Sequence, residues 1–315
     1  MNTKFYSNGK LLLTGEYAVL DAALSLAIPT KYGQSLSLQK INTPQLRWKS
    51  LEKDDSVWFS ADLSIEKDAK TALTTLSIEN KEKMPAQALE VAETLVKIIT
   101  EAIKMNPEFL SDSNGYSVET KLTFCKNWGL GSSSTLINNI ASWAKVDAYK
   151  LLWNSFSGSA FDIACAQHNY PITYKLEQKK PVVEKIDFNP SFKNQLYFVY
   201  LNKKQNSREG IAKYQSISVE KSGFIVEISK LTIQISKAST IAEFDVLIET
   251  HEQLIAKLLQ IPTVRESTFP DFPGGLKSLG AWGGDFVLAT GTPRTMRYFK
   301  RNGYNTIIPY KDMVL

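Results

Sequence analysis

The sequence predicts an α+β fold, because patterns typical of strands and of helices occur in both halves of the chain. Apolar residues at every second position predict a strand over residues 116–124. Apolar residues at steps of three and four predict amphipathic helices over 85–105 and 240–260. Short apolar runs at 196–201 and 286–289 are typical of buried strands. The expected architecture is two-layered.

The remaining elements follow from turn and cap residues. Residues 43–80 are polar and weakly periodic, and they predict an irregular β insertion. The first helix begins at Pro85 and ends at Asn106-Pro107, and the strand that follows runs into a Gly/Ser turn. A helix from that turn to about Lys145 is expected. The charged stretch 177–187 is a plausible boundary between domains.

The second long helix has both a start and a stop signal. Thr240 and Glu243 match a capping box, and Pro262 ends the pattern. His251 lies on the apolar stripe of this helix, which favours a structural histidine over a catalytic one.

The composition is that of a folded protein with a sizeable core. The chain has 315 residues, of which 43% are apolar and 22% are charged, enough for two ordinary domains or one large one. Two histidines and two cysteines are too few for a classical Cys/His zinc site. We expect Cys125 and Cys165 to be reduced thiols in a cytoplasmic protein.

The charge pattern favours a small anionic partner over nucleic acid or a membrane. The net charge is +5, mostly from lysine, and no dense basic block with interleaved aromatic residues occurs. Residues 1–10 are polar, and Glu16 and Asp21 interrupt the apolar run that follows, which is unlike a signal sequence or a membrane span.

The string from Gly129 to Leu136 predicts an anion site. Two glycines expose backbone N–H groups, three serines add hydroxyls, and the positive end of a new helix lies at the same place. The string lacks the Gly-Lys-Ser/Thr ending of a Walker motif and the third glycine of a dinucleotide fingerprint. By itself it is more typical of a glycine-rich turn with serine as the N-cap of a helix.

Three further strings accompany it. They are Gly9-Lys10-Leu11-Leu12-Leu13-Thr14-Gly15-Glu16-Tyr17-Ala18-Val19-Leu20, Ser157-Gly158-Ser159-Ala160-Phe161-Asp162-Ile163-Ala164 and Gly280-Ala281-Trp282-Gly283-Gly284-Asp285-Phe286-Val287-Leu288. Together the strings resemble the motifs of the GHMP kinase superfamily, which includes galactokinase, homoserine kinase, mevalonate kinase and phosphomevalonate kinase. The motifs occur in order and span residues 9–289.

Two positions are most similar to the phosphomevalonate kinase branch. Tyr17 stands where mevalonate kinases usually carry histidine, and Asp285 follows the glycines of the last string. Residues 160–164 also resemble a bacterial subgroup named for the sequence Gly-Tyr-Asp-Ile-Ala.

The resemblance implies a two-domain fold and a kinase activity. Residues 1–180 would form a ribosomal-protein-like βαβ domain that binds ATP, and residues 181–315 a ferredoxin-like domain. Asp162 matches the catalytic aspartate that orients or deprotonates the acceptor hydroxyl, and Lys10 matches the lysine that stabilises transferring charge or tunes that aspartate. Ser133 would help to hold Mg²⁺. The ATP phosphates would be wrapped by Gly129, Leu130, Gly131, Ser132, Ser133 and Ser134.

A second set of residues is expected on the substrate side. A charged, solvated loop is the alternative for residues 203–208. The set comprises Glu16, Tyr17, Ser159, Lys203, Ser207, Arg208, Gly283, Gly284 and Asp285.

Four positions depart from the family pattern. Cys125 replaces a proline, Ala160 replaces a glycine beside the aspartate, and Trp282 puts bulk into a loop that usually lies near ligand. Leu151 stands where mevalonate-type kinases carry a second Mg²⁺ ligand, a glutamate. The remaining donors still suit Mg²⁺, which commonly keeps waters and one or two protein ligands.

The function hypothesis is therefore ATP- and Mg²⁺-dependent phosphorylation of a small, acidic metabolite, with phosphomevalonate or mevalonate as the first candidates. The alternative is a degenerate member of the same fold that binds nucleotide or metabolite as a sensor without turnover. A related decarboxylase is a third option, which the first and third strings disfavour.

Overall fold

The computed structural model describes residues 3–67, 74–111, 114–205, 207–280 and 282–315, and for Ser207 and Arg208 it describes the backbone alone. The chain divides into two compact units. The first comprises Met1–Gly9, Tyr32–Lys126 and Gly131–Gln167, and the second comprises Lys10–Lys31, Asn127–Leu130 and His168–Leu315. The two units thus alternate along the chain, and the division at residues 180 and 181 stays a prediction.

The first unit contains a sheet with the strand order β5-β4-β3-β6-β2. β3 and β6 are parallel, and the other neighbours are antiparallel. β1 and β2 also contribute residues to the second unit. The strands are β1 (Thr3–Leu12), β2 (Ser25–Ile41), β3 (Gln45–Leu51), β4 (Val57–Lys67), β5 (Thr74–Ile78) and β6 (Gly115–Leu122).

Helices cover this sheet and form the core of the first unit with it. Leu36 and Val118 of the sheet pack in one apolar cluster with Ile99 and Ile140 of the helices, and all four side chains are fully buried. Burying each such side chain contributes about 1.5–3 kcal/mol. The helices are α1 (Ala86–Met105), α2 (Ser132–Ala144), α3 (Ala148–Ser155) and α4 (Phe161–Gln167).

The second unit contains an antiparallel sheet with the strand order β10-β11-β9-β12. A separate hairpin, β7–β8, pairs with Ser25–Ala27 at the start of β2. The strands are β7 (Ile172–Glu177), β8 (Lys180–Lys185), β9 (Leu196–Tyr200), β10 (Leu276–Ser278), β11 (Phe286–Thr290) and β12 (Ile307–Pro309).

One helix of this unit, α7, is long and contacts both helix α6 and strand β10 of the antiparallel sheet. A short 3-10 helix, Ala18–Asp21, overlaps the end of the first string. Another, Lys126–Trp128, precedes the phosphate string. The helices are α5 (Ser207–Ser216), α6 (Ser222–Lys237), α7 (Ile241–Leu259), α8 (Val264–Thr268), α9 (Arg297–Arg301) and α10 (Tyr310–Met313).

The predicted helices and strands are confirmed with small shifts of their ends. α1 has Pro85 as its N-cap and Asn106 as its C-cap, as the turn signals indicate. α7 begins after Thr240, whose hydroxyl accepts a hydrogen bond from the Glu243 N–H. The capping box is only half formed, because the Glu243 carboxylate accepts from Ser239 instead of Thr240.

One sequence prediction needs correction. The described part of the β insertion over residues 43–80 is not irregular, because β3 and β4 pair in register along most of their length. The charged stretch 177–187 contains β8, which pairs with β7. Both cysteines are free thiols, as expected. Within the described ranges, no helix combines the length and the apolar character that crossing a bilayer requires.

Candidate functional site

The N-terminus of α2 lies in the first unit and is open. Its N-cap, Gly131, has a left-handed backbone with φ 89° and provides no side chain to cap the helix. The first N–H groups of an α-helix have no partner inside the helix, and they point along its positive end. The amides of Ser132, Ser133 and Ser134 lie at this uncapped end; that they bind an anion stays a prediction.

The three serine hydroxyls differ in their surroundings. Ser134 is buried and donates to the Gly131 carbonyl at 2.9 Å, so its hydroxyl is used to hold the turn. Ser133 is exposed and Ser132 is half-buried. Neither of these two hydroxyls has a partner among the described residues. Ser133, the proposed magnesium ligand, is thus the serine best placed to meet a ligand from solvent.

The preceding residues of the string, Gly129 and Leu130, belong to the second unit and are held by Lys10. The Lys10 ammonium donates to the Gly129 carbonyl at 2.8 Å, and the Lys10 N–H donates to the Leu130 carbonyl at 3.0 Å. Gly129 has φ 68°, a conformation that favours glycine. Lys10 therefore fixes the backbone of Gly129 and Leu130 and places a positive charge beside Gly129.

Asp285 packs directly against Gly129. A Cβ atom on Gly129 would lie 2.4–2.6 Å from the Asp285 carboxyl group, so only glycine fits there. The Asp285 carboxylate accepts from the Gln205 N–H at 3.2 Å. Burial raises the pKa of Asp285, and Lys10 partly opposes this rise. The structure thus brings together three residues that the sequence had assigned to three different strings.

The rest of the glycine loop contacts the segment around Lys203, which follows strand β9. The Asp285 N–H donates to the Lys203 carbonyl at 2.7 Å, while the Lys203 side chain is exposed. Gly284 approaches this same segment so closely that a Cβ would lie 2.8 Å from the Lys203 carbonyl. Gly283 has φ 95°. Ser207 and Arg208 begin α5, and their side chains lie outside the described residues.

Trp282 does not project from the loop. Its side chain is buried in an apolar cluster with Tyr17 and Tyr214, and its backbone N–H donates to the Tyr17 hydroxyl at 3.2 Å. The sequence places the bulk of Trp282 in a loop that usually lies near ligand. In this unit the side chain packs in the apolar cluster instead.

Tyr17 lies at the centre of that cluster. It is buried and has a left-handed backbone with φ 61°. Its ring stacks on Tyr214 with 5.9 Å between the centroids, and the Tyr214 hydroxyl donates to Asp21 at 2.6 Å. Burial raises the pKa of Tyr17. The hydroxyl edge of Tyr17 is occupied by Gly210 and by the Trp282 N–H.

Glu16 belongs to a buried ionic network. Its carboxylate accepts a short hydrogen bond from the Lys277 ammonium, which also donates to Glu252 at 3.2 Å. Ser278 donates to the second oxygen of Glu252 at 3.0 Å. His251 completes the network, since its Nε2 accepts from the Gly15 N–H at 3.1 Å and lies 3.6 Å from Glu16.

Burial dominates the electrostatics of this network. It raises the pKa of Glu16 to about 7 despite the attraction of Lys277, and it raises the pKa of Glu252. It also lowers the pKa of His251 well below its ordinary value, so His251 is neutral. Its Nε2 accepts a hydrogen bond, and the proton therefore lies on Nδ1. Glu16 therefore links the first string to Lys277 of β10 and His251 of α7.

Asp162 lies in the first unit, in the first turn of α4, and is half-buried. Its carboxylate accepts from the Ile163 N–H at 3.2 Å. Its negative charge contributes to a raised pKa at Tyr149. Ala160, which precedes the helix, has φ 63° and is in the left-handed region where the family carries glycine. Ser159 is buried beside it.

Comparisons with known proteins concern the fold. No protein-family model and no curated protein matches the sequence. Among solved structures, the Methanococcus jannaschii mevalonate kinase is 15% identical with a TM-score of 0.67, covering 98% of this chain and 97% of that one. The chain has the fold of the GHMP kinases. The GHMP kinase fold that the resemblance implies and the α+β class are thereby confirmed.

Two further structures have the same fold. The Streptococcus pneumoniae phosphomevalonate kinase in complex with phosphomevalonate and AMPPNP is 15% identical with a TM-score of 0.65, covering 97% of this chain and 99% of that one. The Lactococcus lactis galactokinase complexed with galactose is 11% identical with a TM-score of 0.64, covering 98% and 94%. The shared fold thus includes proteins named for different acceptors.

Leu151 stands at the position where the family resemblance implies a glutamate that binds Mg²⁺. The side chain is fully buried in the apolar core of the first unit, on α3. A carboxylate at that position would be desolvated without a partner, which is costly. Within the described ranges, no group of three or more His, Cys, Asp and Glu side chains could hold a metal ion.

Sequence reasoning missed Lys277, the partner of Glu16, and Glu252, which shares that lysine. Lys277 is fully buried in β10, and no motif marks it. Glu252 follows His251 on α7, and a charged residue next to an apolar stripe is the signal that could have found it. His251 was expected to be structural, and its contact with Gly15 agrees with that interpretation.

Proposed function

We propose that the chain is an ATP-dependent kinase of the GHMP type that phosphorylates a small anionic metabolite. Phosphomevalonate or mevalonate is the acceptor we favour, which would place the reaction in the formation of isoprenoid precursors. The observation that carries the proposal is the open N-terminus of α2, with an exposed serine hydroxyl and no side-chain cap. Such an end binds phosphate through its amides and its dipole.

The backbone of the phosphate string would bind the ATP phosphates. The amides of Ser132, Ser133 and Ser134 would donate to phosphate oxygens, and the Lys10 ammonium adds positive charge at Gly129. Phosphoryl transfer needs mainly positioning and charge stabilisation from the protein. Because Lys10 and Asp285 fix Gly129 before ATP arrives, the string is organised in advance.

Asp162 would orient the acceptor hydroxyl and take up its proton. Its position in the first turn of α4 suits a carboxylate, since the helix dipole favours negative charge there. The ionised form needs no further activation to orient a hydroxyl by accepting a hydrogen bond from it.

Mg²⁺ would bind through the Ser133 hydroxyl and the nucleotide phosphates. The donor set fits this ion, which binds through few protein ligands and keeps its waters. When bound, Mg²⁺ neutralises charge that develops on the phosphates.

The acceptor assignment rests on three features. Tyr17 and Asp285 occur where the phosphomevalonate kinase branch has them, and structures named mevalonate kinase and phosphomevalonate kinase share the fold. The positive net charge suits an anionic acceptor. Gly283, Gly284, Lys203, Ser207, Arg208 and Ser159 remain proposed substrate-side residues, while Glu16 and Tyr17 would act by shaping the first string.

The test is ³¹P NMR of the purified protein with Mg-ATP and a panel of mevalonate, phosphomevalonate, homoserine and galactose. A new diphosphate signal with phosphomevalonate, or a new phosphoester signal with mevalonate, is the expected result. A phosphoester formed only from homoserine or galactose would keep the kinase and overturn the acceptor.

Asp162→Asn should lower the rate of transfer by about 10²–10⁴-fold while ATP affinity changes little, since the carboxylate acts on the acceptor. The matched control is Asp54→Asn, an exposed aspartate of the same unit, which should keep full activity. Full transfer activity in Asp162→Asn would show that the assigned mechanism is wrong.

The sensor alternative draws support from Leu151, because the second magnesium ligand of related enzymes is replaced by a core residue. ATP binding in a calorimeter without transfer to any acceptor would favour it. A single clear turnover would exclude it.

A further inference from the structure

A cationic cavity next to α9 lies apart from every motif of the sequence. Its volume is about 450 Å³, and it belongs to the second unit. Three of the six arginines of the chain line it. The lining residues are Pro273, Arg294, Thr295, Arg297, Tyr298, Arg301 and Asn302.

The three arginines are exposed, and their guanidinium groups form no ion pair with a described residue. Within the described residues, Arg294, Arg297 and Arg301 make no side-chain hydrogen bond or ion pair. The nearby Arg265 behaves differently, since it bonds Glu249 at 3.2 Å and the carbonyls of Phe272 and Gly274 at 2.8 and 2.6 Å. The neighbourhood therefore has partners for an arginine, yet none of them is directed to the cavity.

The side chains of Thr295 and Asn302 are already engaged. Thr295 and Thr292 hydrogen-bond each other at 3.1 Å, and the Asn302 amide donates to the Tyr298 carbonyl at 2.9 Å. Burial raises the pKa of Tyr298, and the negative charge of Asp271 adds to this rise. Asp271 does not line the cavity. The arginines are thus the donors left over for a ligand.

Helix electrostatics does not explain the cluster. Cations are favourable in the last turn of a helix, which accounts for Arg301. Arg297 begins α9 and Arg294 precedes it, where positive charge is unfavourable. Like charges at positions i and i+4, such as Arg297 and Arg301, destabilise a helix.

We infer that this cavity binds a small molecule that bears a phosphate or diphosphate group. Guanidinium groups bind phosphate with two parallel hydrogen bonds, and three of them match the charge of a diphosphate. Pro273 and the half-buried ring of Tyr298 provide an apolar wall for the rest of the molecule. The volume lies in the range of small-molecule sites, roughly 300–1,000 Å³. This binding does not depend on the kinase proposal.

The test uses inorganic pyrophosphate as probe in isothermal titration calorimetry. The triple variant Arg294→Gln, Arg297→Gln, Arg301→Gln should lose one binding event of the wild type, weakened by about 100-fold. The control Lys179→Gln, Lys237→Gln, Lys257→Gln removes the same charge from exposed lysines of the same unit and should keep that event. An equal loss in both variants would overturn the inference, because net charge alone would then explain binding.

A conservative variant covers the case in which the triple variant does not fold. Arg297→Lys keeps the charge but loses the planar fork, so pyrophosphate should bind several-fold more weakly. Unchanged affinity in Arg297→Lys and in each single glutamine variant would overturn the proposal. So would a single-stranded oligonucleotide that binds through the arginines while pyrophosphate does not.

Discussion

Single residues with unusual backbone geometry mark the candidate site. Gly129, Gly131, Ala160 and Asp285 all have positive φ values, between 55° and 89°. A non-glycine residue in this region costs about 1–2 kcal/mol, which persists only where the surroundings hold it. Asp285 is held by Gln205 and Lys203 and in turn contacts Gly129.

Gly129→Ala is expected to lower the free energy of unfolding by about 3 kcal/mol. The left-handed backbone accounts for about 1–2 kcal/mol, and the collision of the new methyl group with Asp285 accounts for the rest. ATP affinity should fall as well, because the phosphate string is displaced. Urea unfolding and calorimetric ATP titration measure the two effects.

The control is Gly303→Ala, where φ is 85° and nothing lies within 4 Å of the new Cβ atom. It should cost only the backbone term, about 1–2 kcal/mol, and leave ATP affinity unchanged. Equal stability losses in the two variants would contradict the contact between Gly129 and Asp285.

Among the elements, α2 carries the strongest functional argument. Its first turn holds one hydroxyl that is used internally, that of Ser134, and one that is exposed, that of Ser133. The turn itself is stabilised by Thr135, which bonds Gln34 at 2.7 Å and Gly131 at 3.1 Å. The helix therefore stays formed whether or not a ligand binds at its end.

Ser133→Ala and Ser134→Ala should separate catalysis from stability. Ser133→Ala should lower kcat by about 10- to 100-fold at one Mg²⁺ concentration, with a stability change within about 0.5 kcal/mol. Ser134→Ala should cost about 1 kcal/mol of stability through its lost bond to Gly131. Steady-state kinetics and urea unfolding measure both; the reverse pattern would move the proposed magnesium ligand to Ser134.

Most elements could be predicted from the sequence because their signals are local. The stripe of α1, its Pro85 start and its Asn106 end are all within 25 residues, and the structure reproduces them. β3 and β4 were not predicted as regular strands. β3 pairs with β6, which is distant in sequence, and polar residues obscure the alternation of apolar side chains in both strands. Local pattern cannot show which partner strand supplies hydrogen bonds.

For the molecule as a whole, the part of the site that could not be predicted comes from residues far apart in sequence. Glu16 follows β1, His251 and Glu252 lie on α7, and Lys277 lies on β10. A buried lysine has no sequence signal, because lysine is ordinarily exposed. The motifs identified Glu16, but only the fold shows that Lys277 is its charged partner.

This network makes the stability of the whole chain depend on pH. The pKa of Glu16 is about 7 in the folded chain against an ordinary value of 4.5, so the folded chain holds the proton more tightly. Its contribution is complete below pH 4.5 and is lost as pH rises through 7. The loss is on the order of 3 kcal/mol. His251 acts in the opposite direction, because its folded pKa is lowered and its contribution grows as pH rises towards 6.5.

Glu16→Gln isolates the carboxyl group, because glutamine keeps the shape and cannot ionise, while His251, Glu252 and Lys277 remain. Urea unfolding at pH 5, 6, 7 and 8 should show the wild type losing stability relative to Glu16→Gln as pH rises. Glu220→Gln is the control, since Glu220 is exposed and hydrogen bonds from Ser222 lower its pKa, so its curve should follow the wild type across this range. Parallel curves for wild type and Glu16→Gln would mean that Lys277 keeps Glu16 ionised throughout, and the attraction of the lysine would then outweigh burial.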